Sequence, residues 1–217
     1  MEEALRQDLV EAGRRLDRLG LVAGTEGNLS VRLGPQRILI TPSGVPKGRM
    51  DPADLVVLES DGEGGMRAAH PGPRGLGPSS EWRMHAALHL REEVGAVVHA
   101  HPPHATAFAA AGRGLDPPAV AEQPVLLGPV PLLPFALPST GEVARGLQRL
   151  PAECRAFLLE KHGAVSVGRD VEEAMVRMET LESCARITFL ARQIDPGAGL
   201  TRAEREALRG PGGGEGA

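Results

Sequence analysis

The chain has no tyrosine, and its 217 residues include only two cysteines, two lysines and one tryptophan. Each shortage removes a chemistry. Without tyrosine, no phenol can donate or accept a proton. Cys154 and Cys184 sit in no CxxC or other metal-type spacing, so they read as packing residues of a reducing compartment, not as a disulfide or a nucleophile. Schiff-base chemistry needs a desolvated amine. Lys47 and Lys161 are the only candidates, and neither lies in an apolar run. No apolar stretch reaches the length that crosses a bilayer. The opening Met1-Glu2-Glu3 is acidic where a secretory signal would be basic, so the expected address is the cytoplasm, with no membrane partner. A net charge of −4 and a pI near 6.0 give no electrostatic case for nucleic acid.

What is present is globular in character. The hydrophobic fraction is 41 % and the charged fraction 24 %, enough apolar side chain for a core. One domain is expected over residues 1–210, with Pro211 to Ala217 a Gly-rich disordered tail. Leu5, Leu9, Ala12, Leu16 and Leu19 recur on one face and predict a helix over 4–20. Strands are expected at 29–33, 37–41 and 55–58, and a buried strand at 94–100 that ends on His99. The Gly/Pro-rich loop 71–78 leads into a helix running from Glu81 to Arg91. A short helix follows at 105–111. Prolines between Val120 and Leu137 favour short edge strands. Ala156–Leu159 and Ala164–Val167 read as a strand pair. Ser139-x-x-Glu142, Asp170-x-x-Glu173 and Thr201-x-x-Glu204 are capping boxes, the second opening a helix that reaches about Gln193. Strands mixed with helices, without a strict βαβ rhythm, imply an α/β fold with a central, mostly antiparallel sheet flanked by helices.

Three histidines carry the first candidate site. In His99-Ala100-His101, side chains two apart on a strand leave the same face, so both imidazoles can meet one ion. His162 lies in Lys161-His162-Gly163 at a strand turn, where the glycine allows a sharp bend. Three neutral imidazoles leave a coordination position open, which is the arrangement of a catalytic zinc site. An HxH pair alone is a weak signal and reads more readily as a strand end with two solvated or core-satisfied histidines. His104 follows two prolines that redirect the chain, and is not expected to be a ligand. His70 has no partner at ligand spacing. His85 and His89, four apart but without the HExxH carboxylate, read as packing or surface residues. Glu81 begins a helix after Ser79-Ser80, as an ordinary first-turn glutamate would. That helix start, the loop Gly24-Thr25-x-Gly27-Asn28-x-Ser30 and the turn Thr41-Pro42-Ser43-Gly44 are rich in hydroxyls and free N–H groups. Such groups suit an anion, and each segment also reads as a simple turn.

Taken in order, Gly24–Ser30, Thr41–Gly44, Pro78-Ser79-Ser80-Glu81, His99-Ala100-His101-Pro102-Pro103 and Lys161-His162-Gly163 resemble the class II aldolase/adducin family over about residues 5 to 195. Within it, the resemblance is strongest to aldolases of the L-fuculose 1-phosphate type. It implies a three-layer α/β/α fold and one Zn2+ per subunit on His99, His101 and His162. Glu81 would be the catalytic acid/base, ligating the metal as well when no substrate is bound. Thr25, Gly27, Asn28, Ser43, Gly44, Ser79 and Ser80 would hold a substrate phosphate. The implied reaction is reversible cleavage of a ketose 1-phosphate to dihydroxyacetone phosphate and an aldehyde, in a homotetramer with active sites near subunit interfaces. The same fold also serves methylthioribulose-1-phosphate dehydratases, L-ribulose-5-phosphate 4-epimerases (with Asp in place of Glu81) and a non-enzymatic adducin head without the metal ligands. The chain departs from the pattern where those aldolases use tyrosine around the aldehyde, including one near the C-terminus.

Overall fold

Period-two alternation in the strands sorts their side chains onto two faces of a single eight-stranded sheet. The structure, a computed structural model, describes residues 1–62, 66–68, 73–147 and 150–209. The strands are β1 (Asn28–Gly34), β2 (Arg37–Ile40), β3 (Val56–Ser60), β4 (Met66–Ala68), β5 (Ala96–Ala100), β6 (Leu132–Leu133), β7 (Ala156–Leu159) and β8 (Gly163–Gly168). They lie in the order β4-β3-β2-β1-β5-β8-β7-β6. All pairs are antiparallel except β6 with β7. In the β1–β5 ladder Asn28 stands opposite His99, and Ser30 opposite Val97.

One face of the sheet presents Leu29, Val31, Leu39, Ala96, Val98, Ala100, Leu158 and Ala164 to helices α1 (Glu2–Arg18), α3 (Pro103–Ala110) and α5 (Val171–Ile194). The other presents Val97, Phe157, Leu159, Val165 and Val167 to α2 (Trp82–Leu88) and α4 (Gly141–Leu147). This is the expected three-layer α/β/α arrangement around a mostly antiparallel sheet. A fully buried leucine such as Leu9, Leu16 or Leu29 contributes roughly 1.5–3 kcal/mol by leaving water. The layers are therefore held chiefly by apolar burial. A last helix, α6 (Arg202–Arg209), completes the described chain, and none of the described helices is long and apolar enough to cross a membrane.

Several local expectations change. At Ser139 the backbone is left-handed (φ 65°), and the α4 start is capped by Thr140, whose Oγ1 accepts from Glu142 N at 3.2 Å. Ser139 instead donates its hydroxyl to Ser80 Oγ at 2.8 Å. The Asp170 and Thr201 caps form as expected. Helix α2 stops at Leu88, short of Arg91. The proline-interrupted stretch holds a π-helical turn at Gln123–Leu127 before the two-residue β6, and β4 had no sequence signal. His70 and the tail expected over 211–217 lie outside the described residues.

Candidate metal centre

β5 is a central strand, and His99 near its end points to the α2/α4 side with no exposed surface. Its Nδ1 lies 2.9 Å from the Ala164 carbonyl of β8. Donation there puts a ring proton on Nδ1 and fixes the ring with Nε2 turned toward Glu81. His101 follows just past the strand end, with its Nε2 3.3 Å from that of His99. His162 sits in the turn between β7 and β8. The bend there is made by Lys161 (φ 56°), not by Gly163 as expected. Gly163 serves a different need: a Cβ on it would lie 2.5 Å from Cδ2 of His101 and 2.7 Å from the Ala100 carbonyl oxygen. The three histidines' ligand atoms lie within 4.8 Å of one another.

Glu81 stands at the N-terminal end of α2 and is 8 % exposed. Oε2 is 3.1 Å from His99 Nε2 and accepts from Asn28 Nδ2 at 2.9 Å. Oε1 is 3.5 Å from His162 Nε2, buried, and without a hydrogen-bond partner. Burial alone would raise the pKa of this carboxyl. The facing His99, its hydrogen bond and that of Asn28 outweigh burial and hold Glu81 below the usual carboxylate range. Burial and the neighbouring His99 push His162 down to about 4, and they also lower His101. An imidazole fixed by a backbone carbonyl with its Nε2 turned inward, two further rings biased to the neutral form and a partnerless carboxylate oxygen are a donor set that suits a divalent cation. Glu26 Oε2 lies 3.4 Å behind His101 Nδ1, where it can orient that ring.

The expected anion loops meet beside this cluster. Ser43 N donates to Gly77 O and Ser79 N to Thr41 O, both at 3.0 Å, and Pro42 bridges Pro78. This lays the Ser43–Gly44 turn along the Ser79–Ser80 segment. Leu29 N donates to Thr41 Oγ1 at 3.1 Å, which ties the third loop to the same place. Gly27 (φ 71°) admits no side chain, since a Cβ would lie 2.8 Å from the His99 carbonyl oxygen. Thr25 is exposed, and its carbonyl accepts from Lys47 Nζ at 3.2 Å. Asn28, the only asparagine of the chain, has its side chain tied to Glu81 on one side and His85 on the other. His104 pairs with Glu182 at 2.7 Å, outside the cluster, as expected.

Sequence reading missed what lies behind the carboxylate. His85 and His89 are neither surface nor simple packing residues. Both are buried and both contact Ser30 Oγ, at 2.7 and 2.8 Å. Their spacing from Glu81, four and eight residues along one helix face, was the available signal. Lys47 is also buried, 1 % exposed, although it lies in no apolar run.

Residues 7–189 match the family described as Class II Aldolase and Adducin N-terminal domain. The 5-methylthioribulose-1-phosphate/5-deoxyribulose-1-phosphate aldolase of Rhodospirillum rubrum is 38 % identical, covering 88 % of this chain and 83 % of its own. The 3-oxo-tetronate 4-phosphate decarboxylase of Escherichia coli is 33 % identical, with 88 % of each chain covered. The L-fuculose phosphate aldolase of Escherichia coli is 31 % identical over 88 % of this chain and 86 % of its own. Among solved structures, YgbL from Escherichia coli superposes with a TM-score of 0.84 at 31 % identity, covering 96 % and 99 % of the two chains.

Proposed function

The chain belongs to the class II aldolase and adducin family, and from that premise we propose that it is a zinc-dependent aldolase. It cleaves a ketose 1-phosphate reversibly to dihydroxyacetone phosphate and an aldehyde. The observation that carries this reading is the convergence of three imidazoles, two of them against the Glu81 carboxylate with its partnerless Oε1, beside three hydrogen-bonded loops. His99, His101 and His162 hold the metal, with Glu81 as a further ligand in the substrate-free enzyme. Bound there, the metal supplies Lewis-acid stabilisation of the negative charge that develops on the substrate oxygens.

The chain's own groups do the rest. Glu81, kept ionised by Asn28 and His99, takes and returns the proton at the carbon or hydroxyl next to the substrate carbonyl. Thr25, Gly27, Ser43, Gly44, Ser79 and Ser80, with Asn28 at the end of its loop, hold the phosphate and so fix the reacting atoms in place. Two observations move the sugar away from the fuculose type and toward a 5-deoxy- or 5-methylthio-ribulose 1-phosphate. The aldolase named for those sugars has the higher identity. In addition, a cleft of about 320 Å³ beside His162 has an apolar wall of Leu133, Pro134, Phe135, Ala136, Val143 and Leu159 that can take an apolar tail, with Glu142, Arg145 and Glu160 completing its lining. The reading also carries a cytoplasmic address and a homotetramer. The exposed Ile187, Phe189, Leu190 and Ile194 of α5 support assembly.

The test is release of dihydroxyacetone phosphate from 5-deoxyribulose 1-phosphate, 5-methylthioribulose 1-phosphate and L-fuculose 1-phosphate, with and without chelator. Carbon dioxide release from a 3-oxo acid phosphate is assayed alongside. Turnover of at least one sugar, abolished by chelator and by Glu81→Gln, is expected. Chelator-resistant turnover, full activity of Glu81→Gln, or activity confined to decarboxylation would refute the assignment.

A further inference from the structure

Behind Glu81 runs a chain of hydrogen bonds through the interface of α2 with the sheet. Asn28 Nδ2 reaches Glu81 Oε2 at 2.9 Å, and Asn28 Oδ1 meets His85 Nε2 at 2.5 Å. His85 Nδ1 meets Ser30 Oγ at 2.7 Å, and Ser30 Oγ meets His89 Nε2 at 2.8 Å. Asn28, Ser30, His85 and His89 are each at most 6 % exposed. Buried polar groups at a helix–sheet interface are costly unless fully satisfied, so a chain of four that ends on a carboxylate is not there for packing.

From Glu81 to His85 the donors can be assigned in only one order. An ionised carboxylate accepts, so the Asn28 amide donates and its oxygen faces His85. His85 Nε2 must then carry the proton. Burial depresses its pKa to about 3, so the ring is neutral and Nδ1 is an acceptor. The Ser30 hydroxyl has one proton, which goes to His85, and His89 Nε2 supplies the proton that Ser30 Oγ accepts. At the far end the Val94 carbonyl lies 3.3 Å from His89 Nδ1. The contact with Ser30 is the shorter of the two that His89 makes and takes its one proton, while the Val94 carbonyl accepts from the Arg32 guanidinium at 2.8 and 3.2 Å. Every proton in the series points toward Glu81.

We infer that His85, backed by Ser30, is a positioning residue for the catalytic carboxylate. Its single tautomer fixes which end of the Asn28 amide faces Glu81, anchoring Oε2 and leaving Oε1 free to face the metal and the substrate. The inference rests on Glu81 being the acid/base proposed above. With the series reversed, the Asn28 oxygen would oppose the carboxylate and the anchor would become a repulsion.

Two measurements on the metal-loaded enzyme test it. In His85→Ala, kcat on the best ketose 1-phosphate of the panel falls about 10- to 100-fold, while KM stays within about twofold and metal remains near one per chain. His85→Gln, whose amide can still donate to Asn28, recovers at least about a third of the lost log activity. Wild-type His85 shows the neutral Nε2–H tautomer by ¹⁵N NMR, a readout independent of turnover and of whether any variant folds. A wild-type kcat in His85→Ala, a loss that falls on KM or metal content instead, no recovery in His85→Gln, or an Nδ1–H tautomer would each overturn the relay. Glu81→Gln is run in parallel. If it is inactive while His85→Ala is fully active, only the relay fails; if it is active, the acid/base reading itself fails.

Discussion

Glu81 holds its charge inside the protein because its partners outweigh its burial, and those partners arrive from three directions: a strand end, a turn and the strand beside it. Such a site tolerates little movement in any one of them. Gly163 shows how narrow the margin is, because the methyl of an alanine there would strike the His101 ring and the Ala100 carbonyl oxygen. Gly163→Ala should therefore weaken metal binding about tenfold or more, the scale seen when a ligand's orienting shell is disturbed. Competition against a chromophoric chelator measures this, and far-UV circular dichroism should stay unchanged. Equal affinity in the variant would mean that the His101 ring has room to spare. The histidine triad was legible in the sequence because the spacing of His99 and His101 along a strand and the turn at His162 are local signals, although Lys161 and not the glycine makes that bend. The role of that glycine was not, since it depends on a ring more than 60 residues away.

At the level of elements, the segments with local signals formed as expected: α1, the β7–β8 pair, and the capped starts of α5 and α6. What could not be read was which helix face turns inward, because packing decides that. This is why His85 and His89 read only as packing or surface residues. Lys47 escaped notice for the same reason. Its ammonium donates to the Val45 and Thr25 carbonyls at 2.7 and 3.2 Å and so ties the Gly24–Gly27 loop to the 45–47 turn, and burial lowers its pKa to about 8. Lys47→Met keeps the bulk and removes the tie. KM for the phosphorylated substrate should rise several-fold, on the order of the 1 kcal/mol that a net hydrogen bond contributes, with metal content unchanged. A KM equal to that of the wild type would show that the loop is held without the lysine.

For the whole molecule, the buried histidines set a pH dependence of stability. Burial first, then the charge on neighbouring groups, pushes His85 down to about 3 and His89 to about 4, against about 6.5 in an unfolded chain. Above pH 6.5 neither state binds these protons and the stability is complete. As pH falls below 6.5 the unfolded chain takes them up and the native one does not, so stability is lost by up to about 1.4 kcal/mol per pH unit for each histidine until the folded values are reached. Urea midpoints should fall between pH 6.5 and 5, and the double variant His85→Gln/His89→Gln should flatten that slope; an unchanged slope would place the protons elsewhere. The pairing of Asn28 opposite His99 across β1 and β5 has a further consequence. A slip of one residue in that ladder would turn either side chain to the opposite face of the sheet, parting carboxylate anchor from ligand at a stroke. Misassembled molecules would then be silent, not sluggish, so counting active centres in a preparation would also count its correctly folded fraction.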